Sequence, residues 1–408
     1  MKKSVLREYA KLIARMGANV QKGQEVYIRS SLEFPEFTAM VAEECYRLKA
    51  KKVVVDWEYQ PLDKLAYRYE TVKTLGTVPD YTETRWKHYT ENLPFCRIYL
   101  WGDDPDGLKG VNTTKMAKAM QSSRKVIKPY RDKIEGGHQW TIAAIPGKKW
   151  AKKLFPELRT NQAVEKLWEE ILKAARATDD PVKAWQDHNR DLRERCAYLN
   201  GLGIEKLVYK AGNGTDFTVG MIPEGRFAGG SEISRQGIEF NPNMPSEECF
   251  ISPDRKTAEG IVYASKPLCY NGILIEDFWI RFHEGKAIEW HAEKNNDLLT
   301  ELINMDEGAA YLGECALVPY DSPISQSGIL FYNTLFDENA ACHLALGFGF
   351  PDCIEGGLEM SLDGVHALGV NDSMVHEDFM IGTADLSIDA MCRDGRTVAI
   401  FRDGNWAF

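Results

Sequence analysis

The stretch VHEDFMIG at residues 375–382 sets His376, Glu377 and Asp378 in a row ahead of a greasy run. Strand side chains alternate between faces, so His376 and Asp378 point one way and Glu377 the other. An imidazole beside a carboxylate on one face is either a hydrogen-bonded couple or half of a metal site. Three more stretches place chemically capable side chains in unusual settings. In FDENAACHLALG, Asp337 reads as a helix cap, which puts His343 one helical turn after Asn339, among alanines and leucines where a polar ring is costly unless paired. YLGECALVP sets Glu314 inside an apolar, strand-like run, and NMPSEECFISPDR sets Glu247 and Glu248 in a proline-bounded extended segment.

Each of these has an ordinary explanation when taken singly: a core histidine bonded to a carbonyl, a strand-edge glutamate, a solvated acidic pair. Jointly, two imidazoles and three carboxylates suit one or two divalent ions, because Zn²⁺, Co²⁺ and Mn²⁺ all accept mixed nitrogen and oxygen coordination. Charge counting favours two ions. Three carboxylates leave two divalent cations with about one net positive charge, whereas they over-neutralise a single ion.

The elements that would position these groups fall into two textures. At 408 residues the chain exceeds what one core usually supports, so two domains are expected, 1–190 and 191–408. The first reads as α/β. Val5, Tyr9, Leu12, Ile13 and Met16 recur at helical spacing, EVYIR follows as a strand, residues 35–48 return to a helical pattern, and KKVVVDW is a second strand. That order implies a parallel crossover unit, to which CRIYLW and WTIAAIP would add strands. Residues 164–200 are helical in pattern and broken at ATDDPVKAW, where Asp179 or Asp180 would cap a helix beginning at Pro181, a candidate hinge. From about 201 the sequence turns to short β-rich runs, among them FWIRFHEGKAIEWHA, a hairpin turning near Glu284 and Gly285, and GNGTDFTVG, a turn between strands. The expected fold class is an α/β amino-terminal domain plus a mainly β (α+β) carboxy-terminal domain that carries the metal-binding residues.

Composition narrows the function classes. A net charge of −10 argues against a general nucleic-acid binder, although residues 109–159 concentrate lysines and arginines, read here as solvated faces. No phosphate-binding glycine fingerprint follows the first strand, so a nucleotide has no support. No window approaches a bilayer-spanning length and MKKSVLREYA lacks a signal-peptide core, so a cytoplasmic protein with no membrane partner is expected. Nine cysteines without CxxC pairs, several in apolar context, read as reduced buried thiols.

The sequence resembles the metallo-aminopeptidases typified by aminopeptidase T and aminopeptidase S. The resemblance runs over nearly the whole chain and rests on NMPSEECFISPDR, LGECALVPYDSPIS, GILFYNTLFDENAACHLALG, VHEDFMIG followed by DLSID, and the ending IFRDGNWAF. It implies metal ligands at Glu248, Glu314, His343, His376 and Asp378, the residues already gathered. It also implies a cocatalytic pair of divalent ions (Zn, Co or Mn), an amino-terminal domain that helps enclose the cavity, a homodimer, and peptide substrates with a free amino terminus. The general base stays unassigned: Glu247 adjoins a ligand, but strand alternation turns it away, favouring a solvated or structural role.

One position departs from the family pattern. Where the resemblance assigns a tyrosine to the metal site, seven residues after His343, this chain has Phe350, which can neither bind a metal nor donate to an oxyanion. Loss of one such donor typically costs about 10² to 10³ in turnover. Tyr332 or Tyr320 would be the compensating neighbour; without one, the chain is a slow enzyme, a metal-dependent amidohydrolase on small non-peptide amides, or a metal- and peptide-binding relative. His366 reads as a turn histidine or a group behind the site, and His283 and His291 flank the hairpin turn where they could approach each other.

Overall fold

The alternating, β-branched run EVYIRSS forms the strand Glu25–Ser31, and it sits inside a parallel sheet whose order is Lys52–Glu58, Glu25–Ser31, Cys96–Trp101, Gln139–Ala144 and Asn243–Met244. Its inner strands are largely withdrawn from solvent, as a sheet covered by helices requires. A computed structural model describes residues 1–177 and 180–408. The helix Pro35–Arg47, opened by a proline that tolerates the first turn, connects the first two strands as the 35–48 pattern predicts. Asp180 caps the helix Pro181–Gly201 by accepting from the Lys183 N–H at 3.1 Å; Asp179, the other expected cap, lies outside the described residues.

The chain divides into two compact units. One comprises Met1–Val111, Val126–Arg190 and Gly230–Ser246, and the other Asn112–Lys125, Asp191–Gly229 and Glu247–Phe408. The first is α/β around the parallel sheet, with Tyr27, Tyr89, Phe95 and Ile134 forming one of its apolar clusters. The second is mainly strand.

Two sheets organise the second unit. A nine-stranded sheet contains the long hairpin Ile273–His283 and Lys286–Lys294. Its two-residue turn has φ of 47° at Glu284 and 82° at Gly285, the left-handed pair that matches the twist of the flanking strands. The register places His291 opposite Trp279 and His283 opposite Lys286, so the two histidines are separated along the hairpin, and each faces its own carboxylate, Glu293 and Glu259. GNGTDFTVG turns between the strands Ile204–Lys210 and Asp216–Gly220. A four-stranded antiparallel sheet follows the order Cys249–Ile251, Leu312–Leu317, His343–Gly347, His376–Met380, and its two inner strands are wholly buried.

His343 corrects a sequence expectation, since it opens a strand instead of following a helical turn. Asn333, not Asp337, caps the helix Thr334–Asp337, accepting from Leu335 N–H at 3.1 Å. The Asp337 carboxylate faces backward, taking the N–H groups of Phe331 and Asn333 at 2.8 and 3.0 Å. Helical geometry ends after the short turn Glu338–Ala340, where Ala341 is extended, and the chain then pairs with its neighbours on both sides.

Candidate metal centre

Strand register gathers the sequence candidates. Residues directly opposite in an antiparallel sheet share a face. Glu314 pairs with Ala345 and Ala345 with Asp378, so two carboxylates flank one small side chain in a row across three strands. His343 and His376 lie two residues from Ala345 and Asp378 on their own strands, and therefore on the same face. Glu248 enters just ahead of Cys249–Ile251 on the sheet's other edge. A register irregularity between Leu312 and Glu314, and Gly347 opposite His376, shape this face. Gly347 has φ +105°, and a Cβ there would meet the Val375 carbonyl oxygen at 2.1 Å, so only glycine fits.

The histidines are oriented from behind. His376 Nδ1 lies 2.7 Å from the Phe348 carbonyl oxygen and His343 Nδ1 3.3 Å from that of Ala341, so each Nδ1–H donates outward and each Nε2 faces the carboxylates. His343 Nε2 is 3.2 Å from Glu248 Oε2, and His376 Nε2 is 3.2 Å from Glu314 Oε2 and 3.4 Å from Asp378 Oδ1. Two triads result, Glu248–Glu314–His343 and Glu314–His376–Asp378, each with its ligand atoms within 4.8 Å of one another. Glu314 belongs to both.

The electrostatics suit a cation. Burial pushes Glu314 up to about 7, although the His376 hydrogen bond opposes it. Burial alone would lower His343, but the bond to Glu248 and the surrounding carboxylates outweigh it and raise it to about 9. Burial opposes and His376 outweighs it at Asp378, which falls to about 2. Asp378 Oδ1 is buried without a hydrogen-bond partner among the described residues. A buried cluster of carboxylate oxygens at which two imidazole nitrogens aim fits a divalent metal.

Other expected residues fall elsewhere. Glu247 and Glu248 are both buried, 6% and 7% exposed, so neither is a solvated acid. Asn339 Oδ1 accepts from the Glu247 N–H at 2.6 Å, tying that segment to the turn before His343. His366, in the helix Leu362–Ala367, faces Asp372 at 3.9 Å and belongs to neither triad. Phe350 packs against His376 with ring centroids 4.6 Å apart and the planes tilted by 44°, and it meets Phe250 edge-on at 5.6 Å. Tyr320 is exposed, and Tyr332 is half-buried at a left-handed φ of 54°. Among the basic residues of 109–159, Lys149 and Lys153 pair with Asp104 and Asp106, and Lys128 with Asp132.

Sequence reasoning missed Glu338. It is 7% exposed on the turn Glu338–Ala340, and its carboxyl is pushed well up by burial and then by the charges of Asp378, Glu248 and Glu314. The Asn339 amide donates to it at 3.3 Å. Five residues ahead of a buried histidine, within DENAACH, it carried no periodic signal of its own.

Residues 2–406 match the family model described as thermophilic metalloprotease (M29). The chain belongs to this metalloprotease family. M29 relatives include aminopeptidase AmpS of Bacillus subtilis (strain 168), 40% identical over 99% of this chain and 98% of that one, and aminopeptidase T of Thermus thermophilus, 38% identical over 98% of each. The solved wild-type AmpT from Thermus thermophilus superposes with a TM-score of 0.88 at 36% identity, covering both chains completely. A 2,5-dihydroxypyridine dioxygenase from Pseudomonas putida KT2440 shares the fold alone, at 12% identity and a TM-score of 0.54. M29 membership and full-length similarity to aminopeptidases make this chain a metal-dependent hydrolase of the exopeptidase type, with divalent metal as its cofactor. Among the described residues no helix is long and apolar enough to cross a membrane.

Proposed function

We propose that the protein removes amino-terminal residues from peptides at a centre of two divalent ions, Zn²⁺, Co²⁺ or Mn²⁺, held by Glu248, Glu314, His343, His376 and Asp378. The observation that carries this reading is the sharing of Glu314 between two triads, each of which would offer an ion one imidazole. Bound there, two such ions supply an activated water and polarise the scissile carbonyl. The side chains do the rest. Phe348 and Ala341 carbonyls lock the imidazoles with Nε2 inward, and the buried face excludes bulk water. Glu338 is the acid–base residue of this reading: burial and then the charges of Asp378, Glu248 and Glu314 keep its carboxyl protonated well above the usual range, so it would ionise beside bound cations, take the water proton and return it to the leaving amine. A free α-amine on the substrate and a cytoplasmic homodimer complete the proposal.

A second reading rests on Phe350. The ring packs against His376 where a phenol would supply a donor, so oxyanion stabilisation is weaker and the activity slow, or directed to small amides other than peptides. The test is release of the first residue from unblocked dipeptides and aminoacyl-anilides, beside amine-blocked amides, by metal-loaded protein and its F350Y variant. Turnover of unblocked substrates by both supports the aminopeptidase with a compensated site, turnover by F350Y alone supports the silenced site, and turnover of blocked amides only overturns the peptide reading. Metal content of H343A tests the ligands: full occupancy in that variant would sink the assignment.

A further inference from the structure

Glu377 sits between two proposed ligands but on the opposite face of their strand. It pairs with Leu346, while His376 and Asp378 pair with Gly347 and Ala345. Its half-buried carboxylate makes no hydrogen bond or ion pair among the described residues, a costly state for an acid largely withdrawn from water. Besides its two strand neighbours, the charge that reaches it is that of Arg124, from the helix Thr113–Ile134. The half-buried Arg124 donates from Nη1 to the Met374 carbonyl at 3.3 Å, two residues ahead of His376. Tyr270, 4% exposed, lies within reach of both charges and closes the group.

This arrangement bears on register. His376–Met380 is an edge strand, paired on one side only, and a slip of one residue would exchange its faces, carrying Glu377 to the metal side and both proposed ligands away from it. A cation behind the strand opposes that exchange, and a guanidinium gripping the Met374 carbonyl fixes where the strand begins. We propose that Arg124 is a positioning residue for the metal centre: holding Met374 and attracting Glu377 from behind, it sets the face and angle at which His376 and Asp378 meet the ions. The inference rests on the reading of those two residues as ligands.

The experiment measures Co²⁺ affinity by competition with a chromophoric chelator, together with the visible absorption of the bound Co²⁺, in the full-length protein. The variants are R124M, R124K, E377Q, the double variant R124M/E377Q and H376A, with R124Q in place of R124M should the latter fail to fold. Groups that orient metal ligands from behind typically carry about 10- to 100-fold in metal affinity. R124M should therefore weaken Co²⁺ binding by about tenfold or more and change the absorption bands, R124K should recover most of both, and the R124M effect should shrink in the E377Q background. An equal loss in both backgrounds, or unchanged affinity and spectrum in R124M, overturns the proposal. H376A separates the two readings: if it leaves affinity intact the ligand assignment fails, whereas a loss in H376A with none in R124M removes only the role of Arg124.

Discussion

Metal uptake by the apoprotein should expel protons, and His343 sets the scale. Its side chain is 1% exposed, with Nε2 3.2 Å from Glu248 Oε2. Its pKa of about 9 means that the ring holds a proton at neutral pH until a metal displaces it. At pH 7 that displacement spans about two pH units and costs about 3 kcal/mol, roughly a hundredfold in apparent affinity. His376 is raised as well, because Asp378 and Glu314 outweigh its burial, and Glu314, at about 7, is partly protonated there. The sign follows: affinity falls as pH falls, by at least about one log unit per pH unit between pH 6 and 8, and the His343 contribution flattens above about pH 9. Calorimetric titration with Zn²⁺ at pH 7, in buffers of different ionisation enthalpy, counts the protons released. More than one per protein is expected. A release near zero, with affinity indifferent to pH, would refute the pairing of imidazoles with carboxylates on which the reasoning stands.

Other perturbations have equally definite outcomes. A chelator should abolish peptide hydrolysis, and Zn²⁺, Co²⁺ or Mn²⁺ should restore it; activity that survives exhaustive metal removal contradicts a metal-dependent hydrolase. Gly347→Ala forces a side chain into positive φ and against the Val375 carbonyl, so denaturant unfolding should show a loss of about 2 kcal/mol or more. His138, half-buried and stacked on Phe95 with ring centroids at 4.6 Å, has its pKa lowered to about 3 by desolvation and then by Arg97. The unfolded chain binds that proton near pH 6.5, so the stabilisation is present above 6.5 and lost as pH falls toward 3, about 2 kcal/mol of it by pH 5. Urea unfolding of the parent and H138F at pH 7 and pH 5 measures this difference, which the variant should lack.

Much of this was legible in the chain because strand periodicity is short and local. The runs EVYIR, KKVVVDW, CRIYLW and WTIAAIP announce the parallel sheet by apolar composition alone, and Glu284–Gly285 announces its turn by demanding positive φ. The alternation of His376, Glu377 and Asp378 is likewise a property of three residues. His343 was misplaced because Asp337 looks like a cap, whereas its carboxylate is spent on backbone groups upstream, a tertiary fact with no periodic signature. Glu338 was missed for a related reason: what distinguishes it is burial among other carboxylates brought in from distant strands. Asn243–Met244 joins the parallel sheet as two residues, too few to carry a pattern.

The proposed ligands enter from three strands of one sheet and from the residue just ahead of its fourth, segments far apart in sequence that only the fold assembles. An unfolded chain offers the metal no such set, so metal bound by these residues would fasten strand to strand as well as serve chemistry. Every tenfold excess of free metal over its dissociation constant then adds about 1.4 kcal/mol to the folded state. Thermal endurance and catalytic competence draw on the same supply of metal, and a cell that starves one starves the other.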